Sequence, residues 1–131
     1  MIGIDTNVLV RYLAQDDRTQ SPRATSFIEK ECSVAAPGFV GLVVLAEVVW
    51  VSESLYGAAR QEVADIVRRI LSIRQLVVQD AETAWKALRL FESGKADFAD
   101  CLVTCTAIAA GCESVATFDR QAANVGMTLL K

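Results

Sequence analysis

A chain of 131 residues, 53% apolar and 22% charged, has material for one compact domain with a sizeable core and none for a second. It contains no histidine, which removes Ser-His-Asp and Cys-His hydrolysis, histidine-ligated zinc and imidazole acid–base chemistry together. A net charge of −3, with thirteen basic residues, argues against sequence-independent coating of DNA, so any nucleic-acid contact must be local, through an arginine cluster or bound divalent ions.

In chain order, Ile2 to Asp5 reads as a short buried strand that stops at a polar Asp-Thr-Asn and enters a helix over Asn7–Gln15. Ser21-Pro22 is a helix start, Ser as N-cap and Pro at the first position, followed by Ala24, Phe27 and Ile28 at helical spacing. Val34 to Ala36 is a candidate second strand closed by Pro37-Gly38, and a long helical stretch runs from about Val40 to Tyr56, ended by Gly57. The apolar positions Val63, Ile66, Val67, Ile70 and Leu71 predict an amphipathic helix over 60–74. Gln75–Gln79 reads as a strand, and Asp80 caps a helix carrying Trp85, Leu88 and Phe91 that Gly94 closes. A further helix spans about 97–110 and ends at Gly111. Ser114–Phe118 is a strand, Asp119 starts a short helix, and Met127–Leu130 is a final strand. Strands alternating with helices imply an α/β fold, one domain throughout, with a mostly parallel sheet of four or five short strands covered on both faces. Ligands of such sheets sit at the carboxyl ends of the strands.

The four cysteines, Cys32, Cys101, Cys105 and Cys112, include no Cys-x-x-Cys pair and are expected to be reduced and to serve as small apolar residues. The N-terminus lacks the basic and apolar regions of a signal peptide, and Phe39–Val51, the most apolar stretch, is too short to span a bilayer. A cytoplasmic protein is expected.

Five carboxylates carry the chemical argument. Asp5 and Asp119 follow strands and would project from the same sheet edge, although each is equally a helix N-cap in form. Glu47 has Val43, Val44, Trp50 and Val51 as its helical neighbours, which predicts burial. A buried carboxylate needs an arginine partner or a metal. Asp97 and Asp100 lie three apart on one helix face, where acids also complement the helix dipole, and Asp100 would share its site with Thr104. Carboxylates converging without histidine or thiolate make a hard-oxygen site suited to Mg²⁺ or Mn²⁺. Such a cluster, loaded with metal, clamps a phosphate and activates water, so the reaction class is metal-dependent phosphodiester hydrolysis.

The runs Ile-Asp-Thr-Asn-Val-Leu-Val-Arg-Tyr-Leu (4–13), Val-Val-Leu-Ala-Glu-Val-Val-Trp-Val (43–51), Ala-Asp-Phe-Ala-Asp-Cys-Leu-Val (96–103) and Ala-Thr-Phe-Asp-Arg (116–120) resemble PIN domains of the VapC toxin type in order and spacing, over essentially the whole chain. The resemblance implies a PIN-like three-layer sandwich and an endoribonuclease using Mg²⁺ or Mn²⁺ that leaves a 5′-phosphate and a 3′-hydroxyl. Asp5, Glu47, Asp100 and Asp119 match the family's acidic quartet, with Asp97 an additional acid; Asp5, Asp97, Asp100 and Asp119 are the implied metal ligands. Thr6, Asn7 and Thr117 match polar residues that orient carboxylates and water. Arg11 and Arg120 are candidate RNA contacts or structural partners of the acids. The implied partners are RNA, a second copy of the chain, and a VapB-like antitoxin whose arginine can take the place of the metals.

Two departures from the family pattern are Leu-Val-Thr-Cys after Asp100 and Ser52 after Val51. Among rivals, an aspartyl-phosphate phosphatase needs a second Asp where Asn7 stands, and a receiver domain needs a lysine at a late strand end, which neither Lys95 nor Lys131 supplies. A catalytically silent PIN-like interaction or RNA-binding module is the remaining alternative, and metal-dependent cleavage separates it from the nuclease.

Overall fold

The computed structural model describes residues 1–131, which form two compact units, Met1–Ala81 and Glu82–Lys131. The first contains β1 (Ile2–Gly3), α1 (Thr6–Ala14), α2 (Gln20–Ser26), β2 (Gly38–Val40), α3 (Leu42–Ser54), α4 (Arg60–Ser72) and β3 (Leu76–Val78). A wider π turn over Phe27–Glu31 continues α2, with Cys32 N donating to Phe27 O. The three strands are all parallel in the order β1-β2-β3, Ile2 standing opposite Gly38 and Gly38 opposite Leu76. Because they run the same way, the residues that leave them, Asp5, Gly41 and Gln79, gather at one edge of the sheet. There Gln79 Oε1 accepts from Leu42 N at 3.0 Å and opens α3.

Leu9 of α1, Ile28 of the π turn, Val40 of β2, Leu45 of α3, and Val63 and Ile70 of α4 are fully buried in this unit. Helix α4 follows its apolar periodicity: Val63, Val67 and Ile70 are buried, and Glu62 accepts from Ala59 N at 3.1 Å to cap the first turn.

The second unit holds α5 (Ala81–Ser93), α6 (Phe98–Ala109), β4 (Ala116–Thr117), a 3₁₀ turn (Ala122–Val125) and β5 (Thr128–Leu129), with β5 parallel to β4. Phe91 and Phe98, both buried, meet edge to face at 5.8 Å between ring centroids and join α5 to α6. The α/β class with parallel strands is therefore as expected and consistent with a PIN-like sandwich. The five strands pair as three plus two.

Four local expectations need correction. The second strand is not Val34–Ala36 but Gly38–Val40. Ser33 and Ala36 close a turn on each other instead, and Pro37, which has no N–H to give, enters the ladder only through its carbonyl, to Ile2 N. Ser21 does not cap α2: Asp17 Oδ1 accepts from Thr19 N and Gln20 N, and the buried Ser21 hydroxyl donates to Arg11 O at 2.8 Å. Ile2, on the edge strand β1, is exposed, and only Ile4 of that run is buried. All four cysteines are free, as expected, but Cys112 is exposed rather than packed. No helix is long and apolar enough to cross a membrane.

Candidate active site

In the N-terminal unit the site begins where β1 gives way to α1. Asp5 is the N-cap of α1, its Oδ1 accepting from Thr6 N at 2.7 Å, so the capping geometry fixes an exposed carboxylate at the sheet edge. Thr6 is buried, and its hydroxyl has no partner. Asp5, Thr6, Asn7, Arg11 and Glu47 line one cleft of about 400 Å³ together with Tyr56.

Glu47 reaches this cleft from α3, but the expectation that it is buried fails. It is exposed, as are Val43 (73%) and Trp50 (64%), whereas Leu45, Val48, Val49 and Ser52 form the inward face. The helix is apolar nearly all round, so its pattern could not tell the inner face from the outer. Ser52, the departure from the family pattern, spends its hydroxyl on Val48 O at 2.7 Å.

Arg11 is held in place by its neighbours. Its Nε donates to Gln20 Oε1 at 2.8 Å and its Nη1 lies 3.5 Å from Asp16, whose other oxygen accepts from the Tyr56 hydroxyl at 2.8 Å. Sequence reasoning missed Gln20, Asp16 and Tyr56 because they lie outside any helical or strand spacing from Arg11.

In the C-terminal unit Asp97 caps α6 and accepts from Asp100 N at 2.8 Å. Asp100, one turn inside, is partly buried, and its carboxyl is pushed above the ordinary range first by that burial and then by the charges of Asp97 and Asp119. Asp100 thus feels the charges of both Asp97 and Asp119, which the sequence spacing alone could not have established for Asp119. The loop that carries Asp119 is pinned twice: Asp119 N donates to Thr117 Oγ1 at 3.0 Å, and Asp119 Oδ1 accepts from Gln121 N at 2.8 Å. Thr104, one turn beyond Asp100 on α6, is buried with its hydroxyl unpartnered. Arg120 is exposed beside Asp119.

These residues suit a hard divalent cation. Within either unit no three carboxylates or thiols close into a ready-made cage, yet Mg²⁺ binds through one or two carboxylates and keeps several waters. The donors are all oxygen. The two buried hydroxyls without partners, Thr6 and Thr104, each adjoin an acid of their own unit, Asp5 and Asp100, and a buried polar atom with nothing to bond is costly unless a further ligand or water completes it.

Among curated proteins none matches the chain. The sequence does match the PIN domain family over residues 2–127. With acidic residues at the strand ends and helix starts, and a family match over nearly its whole length, the protein belongs to the PIN domain family, whose members are in general metal-dependent nucleases that bind RNA.

Proposed function

We propose that this protein is a Mg²⁺- or Mn²⁺-dependent endoribonuclease, of the VapC type, acting as the toxin of a type II toxin–antitoxin pair. The observation that carries the reading is that Asp100, partly buried on α6, feels the charges of both Asp97 and Asp119, a repulsion that a bound cation would offset. In this reading Asp5, Asp97, Asp100 and Asp119 are the residues that would hold the metal, and Glu47 on α3 would orient water. When bound, the divalent ion supplies the positive charge that attack on a phosphodiester requires. Thr6 and Thr104 steady carboxylates and water with their spare hydroxyls, Thr117 fixes the Asp119 loop, and Asn7 stands exposed in the cleft to meet the substrate. Exposed Arg120 is placed for a phosphate contact; Arg11, already paired, serves chiefly to shape the cleft.

The exposed apolar side chains Val43, Trp50 and Leu55, on and just after α3, support protein partners: a second copy of the chain and a VapB-like antitoxin. The whole chain acts as one PIN domain in this account.

The test is digestion of total RNA by the purified chain with Mn²⁺ or Mg²⁺, beside EDTA and Asp5→Asn. Discrete fragments with 5′-phosphate ends, lost in both controls, are expected. A protein that binds Mn²⁺ and cuts nothing would instead favour a silent interaction module.

A further inference from the structure

A second cleft, of about 470 Å³, shares three lining residues, Asp5, Asn7 and Arg11, with the one that holds Glu47. Its lining comes mostly from α1 and from α2 with the π turn that follows it, and includes Val8, Phe27 and the exposed Arg23. We infer that this cleft is a base-binding subsite for single-stranded RNA, with Phe27 and Val8 taking the faces of one unstacked base and Arg23 its phosphate. The inference rests on the nuclease reading and extends it by naming what lies next to the scissile bond.

Size, charge and local geometry lead to this occupant. The volume lies in the range of pockets that enclose a small organic ligand, whereas a base stacked within a duplex has no face to offer. Arg23 is exposed and has no ion-pair or hydrogen-bond partner, in contrast to Arg11. A guanidinium left unpaired beside a mostly apolar cleft matches a ligand that is flat and apolar on its face and anionic at its edge. Phe27 is also the residue at which α2 widens into the π turn, its carbonyl accepting from Cys32 N at 2.9 Å, and such single turns recur at ligand sites. Because Asp5, Asn7 and Arg11 line both clefts, a strand that places one nucleotide against Phe27 carries its neighbouring phosphate past Asp5.

The test uses the full chain in EDTA at low salt and reads the fluorescence polarisation of a 5′-fluorescein single-stranded RNA dodecamer pool of random sequence. Arg23→Glu and the cleft-filling Val8→Trp are each expected to weaken binding about 10-fold or more, with unchanged circular dichroism. Arg74→Glu, which precedes β3 and so lies at the opposite sheet edge, should change it less than about threefold. A duplex of the same length should bind the wild type no better than single strands bind Arg23→Glu. Equal losses in Arg23→Glu and Arg74→Glu, or duplex binding as tight as single-strand binding, overturn the subsite. Failure of the pool to bind at all overturns it too, and leaves the cleft to a side chain of a protein partner. Digestion of total RNA with Mn²⁺ separates this from the parent reading. Binding that depends on Arg23 without cleavage sinks the nuclease and keeps the subsite, whereas cleavage with KM unchanged in Arg23→Glu sinks the subsite alone.

Discussion

Gly38 is the point at which the packing of the first unit bears on Asp5. It pairs with Ile2 of β1 and Leu76 of β3, and a Cβ there would overlap Ile4 Cδ1 while standing 3.0 Å from Leu76 Cδ2. Gly38→Ala therefore forces Ile4, a buried side chain, out of its place. Overpacking of this kind costs about 1–3 kcal/mol, and the reduced entropy of the unfolded chain returns about 0.4–1 kcal/mol. The net loss should be about 1–2 kcal/mol, a fall in Tm of roughly 3–8 °C for a chain of this size. Ile4→Val removes the offending Cδ1 and alone costs about 0.5–1.5 kcal/mol. The double variant should then be more stable than the two single losses added together, with a coupling of about 1 kcal/mol. Because Asp5 follows Ile4 directly, RNA cleavage should fall in Gly38→Ala and recover in the double variant. Urea unfolding of the four proteins measures the cycle. A coupling below about 0.3 kcal/mol, or a Gly38→Ala protein as stable as the wild type, would refute the argument.

Three further outcomes follow from the acids and hydroxyls. Asp100 is easier to protonate folded than unfolded, so the metal-free protein should lose stability as pH rises from the ordinary carboxylate value through the raised one. Asp100→Asn should flatten that slope, gain stability at neutral pH and abolish cleavage, and a variant whose pH profile of Tm matches the wild type would count against it. Thr104→Val removes a buried hydroxyl that has no partner; the metal-free protein should hold its stability or gain up to about 1 kcal/mol, while calorimetric Mn²⁺ affinity falls about 10-fold or more. The reverse pattern would make Thr104 structural only. Asp97→Ala should cost about 1 kcal/mol through loss of the α6 cap and Asp97→Asn clearly less, as thermal unfolding in EDTA can show.

Local signals were legible in the sequence where one residue type has one strong habit. Asp5 and Asp97 announced both a helix start and an acid, and both are N-caps. The period of α4 marked its inner face correctly. Glu47 was misplaced because periodicity carries no information on a helix that is apolar all round, and the environment inferred for it was in fact the outer face of α3. The sequence favours an earlier second strand because Val34 and Ala36 look more strand-like than Gly38, whereas the ladder needs the glycine to admit Ile4. Arg11 with Gln20, and Val8 with Phe27 at the second cleft, depend on how α1 meets α2 and its continuation, which no short-range pattern encodes.

The double duty of Asp5 and Asp97 also bears on how such a protein changes over evolutionary time. Each starts a helix through a side-chain oxygen that accepts from a backbone N–H, and asparagine caps a helix about as well as aspartate does. A single replacement of Asp by Asn at either position thus keeps the helix and removes a charge that, in the proposed reading, a cation needs. In that reading catalysis is open to silent loss, with the fold left intact and free to be retained for binding alone.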